Sequence, residues 1–250
     1  MIVLKTSREL QAMKLACRIS ANALKLAGEA VEPGVSTWEI DRIVHRYIEE
    51  QGAKPSFLGY GGFPASACIS VNNVVIHGIP HKGQIIKQGD IVSIDIGAYY
   101  EGFNGDNAWT FPCGDVSKEA QALMDATREG LFEGIAAAKA GNRIGDIGSA
   151  VQRYVEARGY SVVRDFVGHG VGAKLHEDPS VPNYGTPGRG VRLLPGMTIA
   201  IEPMINQGVK EVKTLSDGWT TVTADGKLSA HFEHSVAITP EGPVILTVPD

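Results

Sequence analysis

The 250-residue chain repeats part of itself. Gly34, Ile40, Arg46, Tyr47, Glu49 and Gly52 recur 107 positions later as Gly141, Ile147, Arg153, Tyr154, Glu156 and Gly159, and the same offset carries Asp95 onto Glu202. An echo of this length predicts two fused halves, roughly 1–115 and 116–250, forming one domain over residues 1–250 about a pseudo-twofold axis. Two carboxylates at equivalent points of such halves point to a site built across that axis.

Each half opens with the same order of elements. Thr6 with Glu9, and Ser36 with Glu39, have the spacing of capping boxes, in which hydroxyl and carboxylate satisfy each other's backbone N–H groups at a helix start. They predict helices over about 7–30 and from Ser36 to Gly52, with Ile40, Ile43, Val44, Tyr47 and Ile48 on an apolar face. The second half repeats the pair over about 117–139 and 143–158. Strands are expected at Ala67–Ile76, Ile91–Tyr99, Asn107–Phe111, Thr198–Ile205, Trp219–Thr223 and Phe232–Ile238, and Pro179–Gly196 reads as a surface loop between strands. The fold class is α+β.

In Ile91–Gly97 the period of two places Ser93, Asp95 and Gly97 on one face and Val92, Ile94 and Ile96 on the other. Thr198–Glu202 has the same pattern. Asp106, eleven positions after Asp95, and Glu233, at the head of the matching strand, add a second acid to each half. Four acids gathered without counter-charge would repel one another and rise sharply in pKa, whereas an oxygen-rich set with one imidazole, from His169 in Gly168–Gly172, suits Mn, Fe, Co or Zn.

The remaining signals exclude other classes. A net charge of −5 and a pI near 5.8, with no dense run of Lys and Arg, leave no electrostatic footprint for nucleic acid or an anionic membrane. Cys17, Cys68 and Cys113 are odd in number and without a CxxC pair, which fits a reducing compartment and a cytoplasmic protein. No apolar stretch is long enough to span a bilayer. Gly168–Gly172 is GxGxG and completes neither a dinucleotide fingerprint nor a Walker A loop; its glycines are expected to let the backbone close in around His169. Cys68 reads as core or pocket wall, and His77 and His176, taken alone, as structural histidines.

Cys68-Ile69-Ser70-Val71-Asn72 through His77-Gly78-Ile79-Pro80, Asp95-Ile96-Gly97 with Asp106, Gly168–Gly172 through His176-Glu177, Ile201-Glu202-Pro203 and Glu233-His234-Ser235 together resemble the type I methionine aminopeptidases over essentially the whole chain. The resemblance implies the pita-bread fold, two pseudo-twofold-related halves with a curved, mainly antiparallel sheet covered by helices. It implies two divalent metal ions, Co, Mn, Fe or Zn. Asp95 would chelate one, Asp106 and Glu233 would bridge both, and His169 and Glu202 would complete the other. His77 and His176 would meet the substrate at the scissile amide, and Glu202 would also shuttle a proton. The implied reaction is removal of the N-terminal methionine of nascent proteins and peptides with a small second residue, by a metal-bridging hydroxide.

By the same resemblance Phe57, Tyr60, Phe63, Cys68, Leu175 and Trp219 would wall a pocket for the methionine side chain. Leu175 stands where the family often has an aromatic residue, and Gly61 where Gram-negative-type sequences have His. Without a Cys/His-rich zinc leader or the type II insertion, the chain resembles the minimal bacterial form, for which a monomer is expected, as is transient docking at the ribosome. Two alternatives share the ligand pattern: an Xaa-Pro peptidase, whose usual extra N-terminal domain does not fit within 250 residues, and a non-catalytic pita-bread binding module, which typically loses ligands.

Overall fold

Both capping boxes form. In a computed structural model describing residues 1–250, Thr6 Oγ1 accepts from Glu9 N at 3.3 Å while Glu9 Oε2 accepts from Thr6 N at 2.7 Å, and Ser36 and Glu39 repeat the exchange at 3.2 and 2.8 Å. They open α1 (Ser7–Glu29) and α2 (Thr37–Glu50). In the second half Ser117 caps α3 (Lys118–Ala137), and Asp146 accepts from the Arg143 backbone N–H at the start of α4 (Ile144–Glu156). The first residues of α2 and α4 are offset by the same 107 positions as the sequence echo.

The strands in chain order are β1 (Lys54–Pro55), β2 (Ala67–Val71), β3 (Val74–Ile76), β4 (Ile91–Tyr100), β5 (Phe103–Pro112), β6 (Ser161–Val162), β7 (Gly168–Gly170) and β8 (Glu177–Val181). They continue with β9 (Thr198–Ile201), β10 (Met204–Asn206), β11 (Val212–Thr214), β12 (Thr221–Thr223), β13 (Ser229–His231), β14 (Glu233–Thr239) and β15 (Gly242–Ile245). The main sheet runs β1-β4-β5-β14-β9-β7-β8, with β2 also on β4 and β15 on β14. All of its pairings are antiparallel. Two three-stranded sheets, β13-β10-β6 and β11-β12-β3, complete the α+β fold, a curled antiparallel half-barrel with helices.

The sheet order places the pseudo-twofold axis between β5 and β14. These strands meet through only two residue pairs, Glu233 with Ala108 and His234 with Asn107. On one side, Ile40, Val44 and Ile48 of α2 share a core with Ile69, Val92, Ile94 and Ile96; on the other, Leu123, Leu131 and Ile147 of α3 and α4 share one with Ile199, Ile201, Val236 and Ile238. Trp109 of β5 packs against both. The period-two expectation for Asp95 holds, because Val92, Ile94 and Ile96 are fully buried against the helices while Ser93 and Asp95 face away.

Helix α1 lies so close to β5 that a Cβ on Gly105 would come within 2.4 Å of the Cys17 backbone. Gly105→Ala is therefore expected to cost at least about 1–3 kcal/mol, the usual range for overpacking, because the neighbour is helix backbone and cannot swing aside. Urea unfolding of the two proteins measures it.

Four expected elements differ from the structure. The strand at 67–76 is two strands, β2 and β3, that join different sheets, and the chain turns between them at Asn72, whose φ is 57°. The strand at 198–205 is interrupted by Glu202-Pro203, where proline has no N–H for the ladder. Trp219 and Thr220 precede β12 in a turn held by Asp217, which accepts both their N–H groups. The loop foreseen at Pro179–Gly196 begins inside β8. No helix is long and apolar enough to cross a membrane.

Candidate metal centre

The fold brings every predicted site residue to one cavity. Asp95 comes from β4, Asp106 from β5, Glu233 from the first position of β14, His169 from β7, and Glu202 from the residue just beyond β9. With His77, His176, Phe57, Tyr60, Phe63, Cys68, Leu175 and Trp219 they line a space of about 190 Å³, below the roughly 300–1,000 Å³ of drug-sized ligand sites and suited to one side chain. Ile76, Phe166 and Val167 complete the lining and were not foreseen.

Ligand atoms of Asp106, His169 and Glu233 lie within 4.8 Å of one another. His169 Nδ1 is 2.8 Å from the Gly170 carbonyl oxygen. A carbonyl can only accept, so the proton of the neutral ring sits on Nδ1 and the Nε2 lone pair faces the cavity. Burial first, then the nearby His176, push His169 down to about 4, so the ring is neutral at physiological pH. Its bare Nε2 nevertheless stands 3.4 Å from Glu202 Oε1 and 3.6 Å from Asp106 Oδ2. Three groups that can bind through lone pairs thus converge at one point, an arrangement that fits a cation.

The carboxyls tell the same story. Asp95 Oδ1, Asp106 Oδ1 and Glu233 Oε1 are buried without a hydrogen-bond partner, and each such orphan is costly in a folded protein. Burial, reinforced by the neighbouring acids, pushes Asp95, Glu202 and Glu233 well above the ordinary carboxylate range. Burial alone takes Asp106 up to about 7, against a weaker opposing hydrogen bond from the Asn107 backbone. A donor set of four carboxyls and one imidazole fits hard-to-borderline divalent cations. The residues present fit a metal.

Around the acids the pocket is apolar. Phe57, Phe63, Cys68 and Leu175 form a buried cluster with Trp219 at its edge, and Phe63 meets Trp219 edge-on at 5.2 Å. Cys68 is the register partner of Asp95, which explains how a core-like strand residue becomes a wall beside the acids. Gly61 has φ 57°, and a Cβ there would stand 3.2 Å from the Trp219 ring, so a larger residue at this position would press on the pocket's edge.

Two histidines guard the mouth. His176 Nδ1 lies 2.7 Å from the Tyr60 hydroxyl, and its ring is 4.1 Å from that of His169. His77 sits just past β3 at φ 58°, in a left-handed conformation uncommon outside glycine and concentrated at functional sites. Gly78 makes that turn possible, since a Cβ there would come within 2.2 Å of the Ile69 carbonyl oxygen. Burial lowers both histidines, His77 to about 4, with His176 adding a smaller push. The glycines around His169 have the foreseen role: a Cβ on Gly168 would meet the Ala200 carbonyl, and on Gly170 that of Asp178, each at 2.3 Å.

One further histidine escaped sequence reasoning. His231 is buried and stands 3.8 Å from Glu202 Oε2. Its signal was its position two residues before Glu233, which in extended chain puts both on one face.

The model of metallopeptidase family M24 matches residues 11–240. Methionine aminopeptidase of Clostridium perfringens is 56% identical over 248 residues, covering 99% of both chains, and methionine aminopeptidase 1 of Bacillus subtilis is 53% identical over 247 residues, again with 99% of each covered. The crystal structure of methionine aminopeptidase from Thermotoga maritima superimposes with a TM-score of 0.97 at 46% identity, covering 99% of each chain. A chain with this donor set and these full-length likenesses belongs to metallopeptidase family M24, among its methionine aminopeptidases.

Proposed function

We propose that the chain removes N-terminal methionine from peptides and nascent proteins with a small second residue, using two divalent cations drawn from Mn, Fe, Co and Zn. Asp95, Asp106, His169, Glu202 and Glu233 would hold the cations, with Asp106 and Glu233 shared between them, and residues 1–250 would act as one catalytic domain whose two halves each supply part of the site. The observation that carries this proposal is the set of orphaned, buried carboxylate oxygens around a bare imidazole nitrogen, next to an apolar slot sized for one side chain.

Bound cations supply Lewis-acid polarisation of the peptide carbonyl and a nucleophilic water near neutral pH. The chain does the rest. Phe57, Phe63, Cys68, Leu175 and Trp219 receive the methionine side chain, whose flexible thioether suits an apolar wall containing sulfur and aromatic rings. Tyr60 donates its hydroxyl proton to His176 Nδ1, which leaves the His176 proton on Nε2, aimed at the carbonyl oxygen where negative charge develops. His77 positions the amide nitrogen of the leaving residue. Glu202, its pKa raised by burial and by Asp95 and Asp106, takes a proton from the attacking water and returns it to the departing amine. We place this activity in the cytoplasm, on a monomer that meets nascent chains by transient docking at the ribosome.

Release of methionine from Met-Gly-Met by the metal-loaded protein is the expected result. Turnover confined to a Gly-Pro dipeptide would instead make it an Xaa-Pro peptidase, and no hydrolysis of either would leave a binding module.

Metal binding requires Asp106 without its proton, so protons and metal compete for the site. With Asp106 near 7, its proton alone makes metal affinity rise about tenfold between pH 6 and pH 8, and the raised Asp95, Glu202 and Glu233 steepen that rise. Calorimetric titration with Mn(II) in buffers of different ionisation enthalpy measures both the affinity change and the proton release.

A further inference from the structure

Glu202 has two oxygens with different neighbours. Oε1 lies 3.4 Å from His169 Nε2, which lines the cavity, and Oε2 lies 3.8 Å from His231 Nε2, which does not. His231 Nε2 is buried and has no hydrogen-bond partner, a costly state unless it serves another group. The His231 main chain, by contrast, is clamped. Its N–H donates to Thr110 Oγ1 at 3.0 Å, Thr110 Oγ1 donates back to the His231 carbonyl at 2.8 Å, and Ser93 Oγ lies 2.8 Å from the same hydroxyl. With its hydrogen committed to His231, Thr110 receives from Ser93. Strands β4 and β5, which carry Asp95 and Asp106, therefore also fix the backbone from which the His231 ring reaches Glu202.

The two histidines on Glu202 are wired differently. In His169 a backbone carbonyl holds the proton on Nδ1, which leaves Nε2 bare. No carbonyl holds the His231 proton away from Nε2, and the carboxylate opposite favours it there. We propose that His231 is a positioning residue for Glu202, donating Nε2–H to Oε2 and so keeping Oε1 turned toward the metal. The 3.8 Å separation exceeds a hydrogen bond, and a small turn of the Glu202 side chain closes it. Such outer partners orient a ligand and hold the one productive rotamer, and losing one typically costs about 10–100-fold in metal affinity.

This assignment rests on the proposed metal site, and its test separates the two. Mn(II) is titrated calorimetrically into the metal-freed full chain, and kcat and KM for Met-Gly-Met are measured at saturating Mn(II). His231→Leu is expected to weaken Mn(II) binding about 10–100-fold and to lower kcat with little change in KM. His231→Gln, whose amide can donate from a similar place, is expected to restore most of the affinity. Parental affinity in a folded Leu variant, or an equal loss in the Leu and Gln variants, overturns the assignment. If the Leu variant does not fold, His231→Asn replaces it, because its amide is too short to reach Oε2; equal affinities of the Asn and Gln variants then overturn it. Failure of the parent chain to bind Mn(II) at all would instead overturn the metal site itself, and His231's role with it.

Discussion

Asp106→Asn is expected to abolish peptide hydrolysis, by on the order of 10³-fold or more, because the Lewis-acid contribution lost with the metal is worth several kcal/mol. Asp106 sits at the middle of the donor set, in the tight group with His169 and Glu233, so its loss affects the whole site. The same substitution is expected to move stability the other way in metal-free protein. Burial raises the folded-state pKa of Asp106 to about 7, so the folded protein holds this proton more tightly than the unfolded chain does. The resulting destabilisation is absent below about pH 4, grows as pH rises toward 7, and is complete above it, where it amounts to a few kcal/mol. Asn keeps the shape and removes the ionisation. Metal-free Asp106→Asn protein should therefore melt higher than metal-free parent at pH 8, match it near pH 4, and gain nothing from added Mn(II). Thermal melts at the two pH values, with and without metal, give all these outcomes; undiminished hydrolysis or a Tm still raised by Mn(II) would end the catalytic proposal.

Lys5→Met is expected to cost about 3–5 kcal/mol, the usual result of stripping one partner from a buried ion pair. The Lys5 and Glu177 side chains are only 3% and 9% exposed, and Lys5 Nζ donates to Glu177 Oε2 at 2.5 Å. Glu177 Oε1 meanwhile accepts from the Lys174 N–H at 3.1 Å, so the pair ties the segment before α1 to the chain on either side of His176. Removing the ammonium leaves a buried carboxylate with no counter-charge. Adding Glu177→Gln to Lys5→Met should recover a large part of the loss, since what is expensive is the stranded charge. Denaturant unfolding of the parent, both single variants and the double variant tests this, and simple additivity would show that the pair is not coupled.

Parts of the molecule could be read directly from the amino acids, and the reason is range. Thr6 with Glu9 and Ser36 with Glu39 close their hydrogen bonds within three residues, so the helix starts were visible. Alternation from Ile91 to Gly97 gave the face of Asp95, because a strand with helices behind it must hide one side. The breaks at Asn72 and Pro203 depend on what the chain must turn toward, and the short strands β6, β7 and β8 exist through distant partners. The site followed the same division. The repeat exposed Asp95 with Glu202 and, allowing a gap, Asp106 with Glu233, whereas His77 and His176 stood out only through resemblance to a family. Phe166 is a neighbour of the site through tertiary packing alone, whereas His231 could have been found from its place two residues before Glu233.

The seam between β5 and β14 also has a consequence in time. A ribosome making this chain releases Asp95 and Asp106 together with the helices that support their strands, long before His169, Glu202 and Glu233 exist. The first half can collapse on its own local contacts, while the strand that completes the centre is the last long one to be synthesised. An unfinished copy thus holds only part of the proposed ligand set, and by that proposal hydrolytic competence would arrive only after Glu233 has been made.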